Sequence, residues 1–190
     1  MGRFMNHKKW VVVLALIATA LILTHLPVSE ADAAASASDF LIEGSTLTKY
    51  RGTDERVTIP DTVEVVGESA FENNQKVQLV VVPKSVKRMD AYVFWGCDNL
   101  EEVVLGKGLT SVDEYAFSGC TGLKQITIPE NVQSIDAQAF AGCTNLTDIY
   151  IPDTVTSIAD DAFLNCDNVT IHADEGSVAA KFAQKLAEQK

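Results

Sequence analysis

The sequence predicts a repeat solenoid: a coil of similar turns on a parallel sheet, closed by a β-hairpin at its N-terminal end and a helix at its C-terminal end. Three observations carry this prediction. One apolar skeleton returns every 23 residues. Each copy holds a short alternating strand, which a proline usually stops. A copy of this size buries too little to fold alone, so copies must stack and share a core.

In chain order, residues 1–33 read as a secretory signal peptide. Arg3, His7, Lys8 and Lys9 make a basic start, Trp10 to Leu26 is almost wholly apolar, and Ala31-Asp32-Ala33 fits a small-residue cleavage site. The alternative is an uncleaved membrane anchor, since the apolar run is near the lower limit for a span. Cleavage is favoured because the small-residue site follows directly. The expected location is therefore secreted or cell-surface, with membrane contact only if this segment is retained. Residues 34–38 form a linker.

Residues 39–56 read as a hairpin cap. Phe40, Leu41 and Ile42 precede the turn residues Glu43-Gly44-Ser45-Thr46, and Leu47 and Tyr50 follow. Such a cap is needed because a solenoid exposes a sheet edge and an open core at each end.

Residues 57–173 hold five copies of the repeat. The strand-closing position is Pro60, Pro83, Gly106, Pro129 and Pro152. The aromatic column is Phe71, Phe94, Phe117, Phe140 and Phe163, preceded by Ala in every copy but that of Val93. Cys97, Cys120, Cys143 and Cys166 share a column with Asn74. Val77, Leu100, Leu123, Leu146 and Val169 form the next. Within a copy, Ile126 and Ile128 alternate with polar neighbours, a strand pattern. Pro129 cannot donate to a ladder and turns the chain. Val132 and Ile135 cover a second side of the coil, and Gly142 permits a tight return.

Residues 174–190 read as a capping helix. Val178, Phe182 and Leu186 recur at helical spacing with Ala179 and Ala183 beside them, and Ser177 is the expected N-cap.

Composition narrows the function. The chain has 190 residues, is 47% apolar and 22% charged, and carries a formal charge of −11. Removing residues 1–33 takes three of 15 basic and two of 26 acidic side chains, leaving 12 − 24 = −12. That balance argues against nucleic acid, which needs clustered Lys and Arg.

Catalytic chemistry finds little support. All four cysteines lie in one repeat column, where stacked strand spacing does not suit a disulfide. They read as buried thiols donating to a turn carbonyl. His172, alone after the signal segment, reads as a surface or cap residue. No metal, phosphate-loop or dinucleotide motif occurs, so no cofactor and no enzymatic activity are expected.

What remains is the exterior. The side chain between the two buried positions of each strand faces out: Thr58, Val81, Val104, Thr127 and Tyr150. Two residues earlier stand Arg56, Leu79, Glu102, Gln125 and Asp148. Leu79, Val81 and Val104 are apolar where solvent is expected, and with Tyr150 they form a candidate binding patch. Trp95 is expected to be exposed, and Tyr92 and Tyr115 to stack as neighbours in another outward column. Ordinary β-propensity on a sheet face is the competing explanation.

The pattern L-x-x-I-x-I-P-x-x-V-x-x-I-x-x-x-A-F-x-x-C resembles the BspA-like, or Treponema-type, leucine-rich repeat over residues 57–171. The flanks from Asp39 to Pro60 and from His172 onward resemble that family's caps. The resemblance implies a right-handed α/β or β-rich superhelix and a bacterial surface or secreted protein, often adhesive and without enzymatic activity. A protein partner bound through Leu79, Val81, Val104 and Tyr150 is the first expectation. A carbohydrate stacked on Trp95, Tyr92, Tyr115 or Tyr150 is the alternative.

Overall fold

The computed structural model of the protein describes residues 35–188. The expected signal peptide, 1–33, lies outside the described residues.

The described residues open with a 3-10 turn at Ala37–Asp39, followed by an antiparallel hairpin of β1 (Phe40–Glu43) and β2 (Thr46–Tyr50). Gly44 takes the left-handed turn position at φ 63°. The coil then alternates three-residue and two-residue strands. The longer ones are β3 (Arg56–Thr58), β5 (Leu79–Val81), β7 (Glu102–Val104), β9 (Gln125–Thr127), β11 (Asp148–Tyr150) and β13 (Thr170–His172). The shorter ones are β4 (Val65–Val66), β6 (Arg88–Met89), β8 (Ser111–Val112), β10 (Ser134–Ile135) and β12 (Ser157–Ile158). Helix α1 (Val178–Glu188) closes the end.

Each class of strand stacks into parallel ladders, in the order β3-β5-β7 then β9-β11-β13 on one side and β2-β4-β6 then β8-β10-β12 on another. The hairpin thus caps the shorter-strand side, with Thr46 beside Val65 and Leu47 beside Val66.

Both ladders are interrupted around the segment Leu105–Leu109, which carries Gly106 and Gly108. Two of the bonds that link turns are stretched there, while Phe94 N–H still meets the Ala116 carbonyl at 2.8 Å. Lys124 N–H reaches the Glu101 carbonyl at 3.4 Å, where the next turn's Thr147–Lys124 bond is 2.9 Å. Thr110 N–H reaches Lys87 at 3.3 Å, against 2.8 Å for Lys87 to Glu64. Gly106 replaces the strand-closing proline because its backbone lies against the carbonyls of Val82 and Pro83, and any Cβ would collide with them. Gly108 is held against the carbonyls of Lys84 and Val86 in the same way. The coil therefore has a seam in its third turn.

The core is the stack that the spacing predicts. Phe71, Phe94, Phe117, Phe140 and Phe163 lie in single file, with successive ring centroids 5.1–5.3 Å apart. The file is longer than the repeat: Phe40 and Tyr50 extend it at one end and Phe182 at the other. Tyr50 stacks on Phe71 at 5.0 Å, and its hydroxyl donates to Asp54 Oδ2 at 2.9 Å. The hairpin and the helix therefore cover the core with aromatic rings as well as with backbone.

The tight-return position of every copy is left-handed: Asn73, Gly96, Gly119, Gly142 and Asn165, with φ between 55° and 75°. Gly and Asn are the residues that tolerate this conformation, so the expectation for Gly142 holds. In the helix, Ser177 Oγ accepts the Ala180 N–H at 3.1 Å, as an N-cap should. The buried face differs from expectation by one residue at its start. Val178 is 36% exposed, while Ala179 and Phe182 are buried. The helix therefore meets the last turn through small Ala179 and the Phe182 ring.

Candidate interaction surfaces

The parallel register sets the strand face. Thr58, Val81 and Val104 are successive neighbours, as are Arg56, Leu79 and Glu102. Val104 is 45% exposed. Leu79 and Val81 are only half-buried, not fully open, because each stands between the strands on either side. Val81 and Val104 nevertheless make an adjoining apolar pair on this face.

Tyr150 does not join them. It pairs with Thr127 on one side and His172 on the other, so Thr127 stands between it and the seam that separates it from Val104. Its real partner is His172, whose ring stacks on it at 4.4 Å and 12°. His172 Nε2 meets Asp148 Oδ1 at 2.7 Å, and this hydrogen bond holds the Asp148 carboxyl below the usual range. The spacing missed this trio for a definite reason. Asp148 pairs with Thr170, a step of 22 residues rather than 23, and that one-residue shortening brings His172 into Tyr150's column.

A third cluster lies on the turns. The Tyr92 and Tyr115 rings stack at 4.8 Å and 5°, and Trp95 meets Tyr92 edge-on at 6.4 Å. Trp95 is 39% exposed, as expected, whereas the tyrosines are half-buried. Both tyrosines have positive φ, 61° and 56°, but so do Ser69 and Gln138 in the same column. The strained conformation thus belongs to the repeat rather than to an aromatic site.

The cysteines are structural. Each thiol donates to the phenylalanine carbonyl of the turn before: Cys97 to Phe71, Cys120 to Phe94 and Cys143 to Phe117 at 3.1 Å, and Cys166 to Phe140 at 2.9 Å. Burial pushes the Cys97 thiol up to about 12 and raises Cys120 as well, which opposes thiolate chemistry. Asn74 departs from the expected donor role. Its Oδ1 accepts the N–H groups of Lys76 and Val77 at 2.9 and 3.1 Å, because the first turn has no repeat behind it to receive a donor. Among the described residues, no cluster of His, Cys, Asp or Glu is arranged to hold a metal ion.

Comparison with known proteins agrees with this architecture. The family model for the BspA type leucine-rich repeat region matches residues 49–170 in six copies. Strict spacing counts five copies; the matched region starts earlier, at residue 49 within β2, and ends at the first residue of β13. A leucine-rich cell surface protein of Faecalibacterium prausnitzii is similar over 73% of this chain and 37% of its own length, at 33% identity and a TM-score of 0.68. The chain therefore corresponds to just over a third of that protein. The leucine-rich repeat protein of Treponema pallidum matches over 73% of this chain and 71% of its own, at 26% identity and a TM-score of 0.70. The pneumococcal vaccine antigen PcpA shares the fold, with 19% identity over 72% of this chain and 35% of its own and a TM-score of 0.61. The search of curated proteins gave no match. With its stacked phenylalanines, its thiols bonded from turn to turn and a family match over most of its length, the chain belongs to the BspA-type leucine-rich repeat family.

Proposed function

We propose that this chain is a secreted or cell-surface display module that captures a protein partner through its strand face and does no catalysis. The observation that carries the reading is the Val81–Val104 pair, apolar and adjoining on a rigid parallel sheet, with Val104 45% exposed. A preorganised face loses little entropy on binding, so even a small apolar patch contributes usefully there. The Faecalibacterium relative is described as a cell surface protein, which supports the location. Tyr150 belongs to a separate subsite with His172 and Asp148.

The test is capture of cell-surface proteins by the chain carrying Val81→Lys and Val104→Lys. Capture should fall at least about tenfold while the melting temperature holds, because both positions are at least partly open. Undiminished capture would overturn the strand-face reading. The glycan alternative rests on exposed Trp95 beside the stacked tyrosines. It predicts that Trp95→Ala, rather than the valine pair, abolishes binding, and that the captured ligand is sugar.

A further inference from the structure

The seam has a chemical counterpart on the surface. Beside it lies an open depression of about 530 Å³ lined by Asp61, Lys84, Ser85, Lys87, Lys107, Gly108 and Asn131. It brings three lysines together in a chain of net charge −11. The ion pairs of the described residues are Arg88–Asp90, Lys124–Glu101, His172–Asp148 and Lys185–Asp160, so none of these three lysines is neutralised by a carboxylate. Lys84 and Lys107 occupy the same position of adjacent turns, where like charges repel.

Two further features shape the site. Gly108, the counterpart of Ser85 and Asn131 in the turns before and after, lets the chain lie directly against the Lys84 and Val86 carbonyls at the floor of the depression. Ser85 Oγ is shielded from solvent and has no hydrogen-bond partner. Its counterparts downstream are satisfied: Asn131 donates to the Lys107 carbonyl at 2.6 Å and Thr154 to the Val132 carbonyl at 3.2 Å. A buried polar group without a partner is uncommon and calls for an explanation. Here an unpartnered hydroxyl lies in the wall of a depression that holds three lysines, none of them in an ion pair, and the single carboxylate of Asp61.

We infer that this depression binds a small oxyanion group, phosphate or sulfate. Lys84, Lys87 and Lys107 supply the charge, outnumbering the single carboxylate of Asp61, and the shielded Ser85 hydroxyl supplies a donor once its side chain turns outward. The extent of the positive patch limits the ligand. In the Lys84–Lys107 column, Asp61 precedes and Glu130 follows, and Glu64 stands one turn before Lys87. The positive stretch is therefore two turns long, about 10 Å, enough for one oxyanion and not for a polyanion lying along the coil. The site is separate from the Val81–Val104 patch, and the inference does not depend on the proposed protein capture.

The test is titration of inorganic phosphate into the isotope-labelled full chain at constant ionic strength, with chloride as control, followed by amide chemical shifts. Saturable shifts are expected at Ser85, Lys107 and Gly108. The double variant Lys84→Gln, Lys107→Gln should weaken the response about tenfold or more, and Ser85→Ala by a smaller factor. Without phosphate, the double variant should melt close to the parent, because the Lys84–Lys107 repulsion and the attractions to Asp61 and Glu130 are removed together; this separates ligand binding from a structural role and confirms folding. The Val81→Lys, Val104→Lys chain should titrate like the parent. Glycerol phosphate and sulfate run alongside: tighter binding of the ester identifies a group carried on a larger ligand, and tighter binding of the free ion identifies the ion itself. A response that does not saturate, that chloride reproduces, or that survives in the double lysine variant overturns the inference.

Discussion

At the residue scale the chain is held from turn to turn by sulfur. Cys120 sits in a buried slot and bonds to the Phe94 carbonyl, and three further cysteines repeat the contact. Such a thiol ties stability to pH with a fixed sign. The folded Cys97 thiol is pushed from its ordinary 9.0 up to about 12 by burial, so only the unfolded chain ionises between those values. Its contribution is complete below pH 9.0 and is lost as pH rises towards about 12. The melting temperature should fall more steeply over that window for the parent than for Cys97→Ala, by an amount equivalent to several kcal/mol at most. Equal slopes in thermal melts would contradict this assignment. The cysteine column and its hydrogen-bonding role were legible from spacing and burial logic alone. The role of Asn74 was not, because column membership shows position and not whether a partner turn exists behind it.

At the element scale the caps do more than shield an edge. Helix α1 sends Phe182 against Phe163 at 5.8 Å, while Ala179 packs flat on the last turn. Phe182→Ala should cost about 3 kcal/mol. The loss should fall on the neighbouring strands, so amides of β12 and β13 should lose hydrogen-exchange protection before those of β5. Uniform loss through the coil would show that the helix is not a local cap. The helix and its N-cap were readable from an apolar period and a serine. The buried face was displaced at Val178, because helix periodicity alone does not specify how the helix is rotated on its support. Strand existence was equally plain from the alternation of Ile126 and Ile128. Strand register was readable until a single residue was dropped before Thr170, and that shift concealed the Tyr150–His172 stack.

At the scale of the whole molecule, the coil has one continuous core, while both of its strand ladders break at the seam. Interactions in a solenoid run between neighbours, so a weak junction lowers local cooperativity. Thr110 and Lys124, whose amides span the seam at 3.3 and 3.4 Å, should exchange faster than Lys87 and Thr147, which make the equivalent bonds at 2.8 and 2.9 Å. Equal protection at all four would remove the seam as a mechanical feature. Gly106 was visible in the sequence as the one interruption of the proline column, yet its meaning depended on carbonyls from the preceding turn, which no local pattern displays. The same holds for the surface. Leu79, Val81 and Val104 were recognisable as apolar outsiders, whereas the lysine depression required knowing which turns stack and which side chains lack partners. The cysteine bonds also give the coil a direction of growth. Every sulfhydryl reaches towards the beginning of the chain, so coils trimmed from the tail leave all surviving sulfhydryls with their acceptors, whereas the loss of a coil near the head strands one in a dry interior. Lengthening or shortening such a protein is thus chemically easier at its far end, and the head is the part that variation must leave alone.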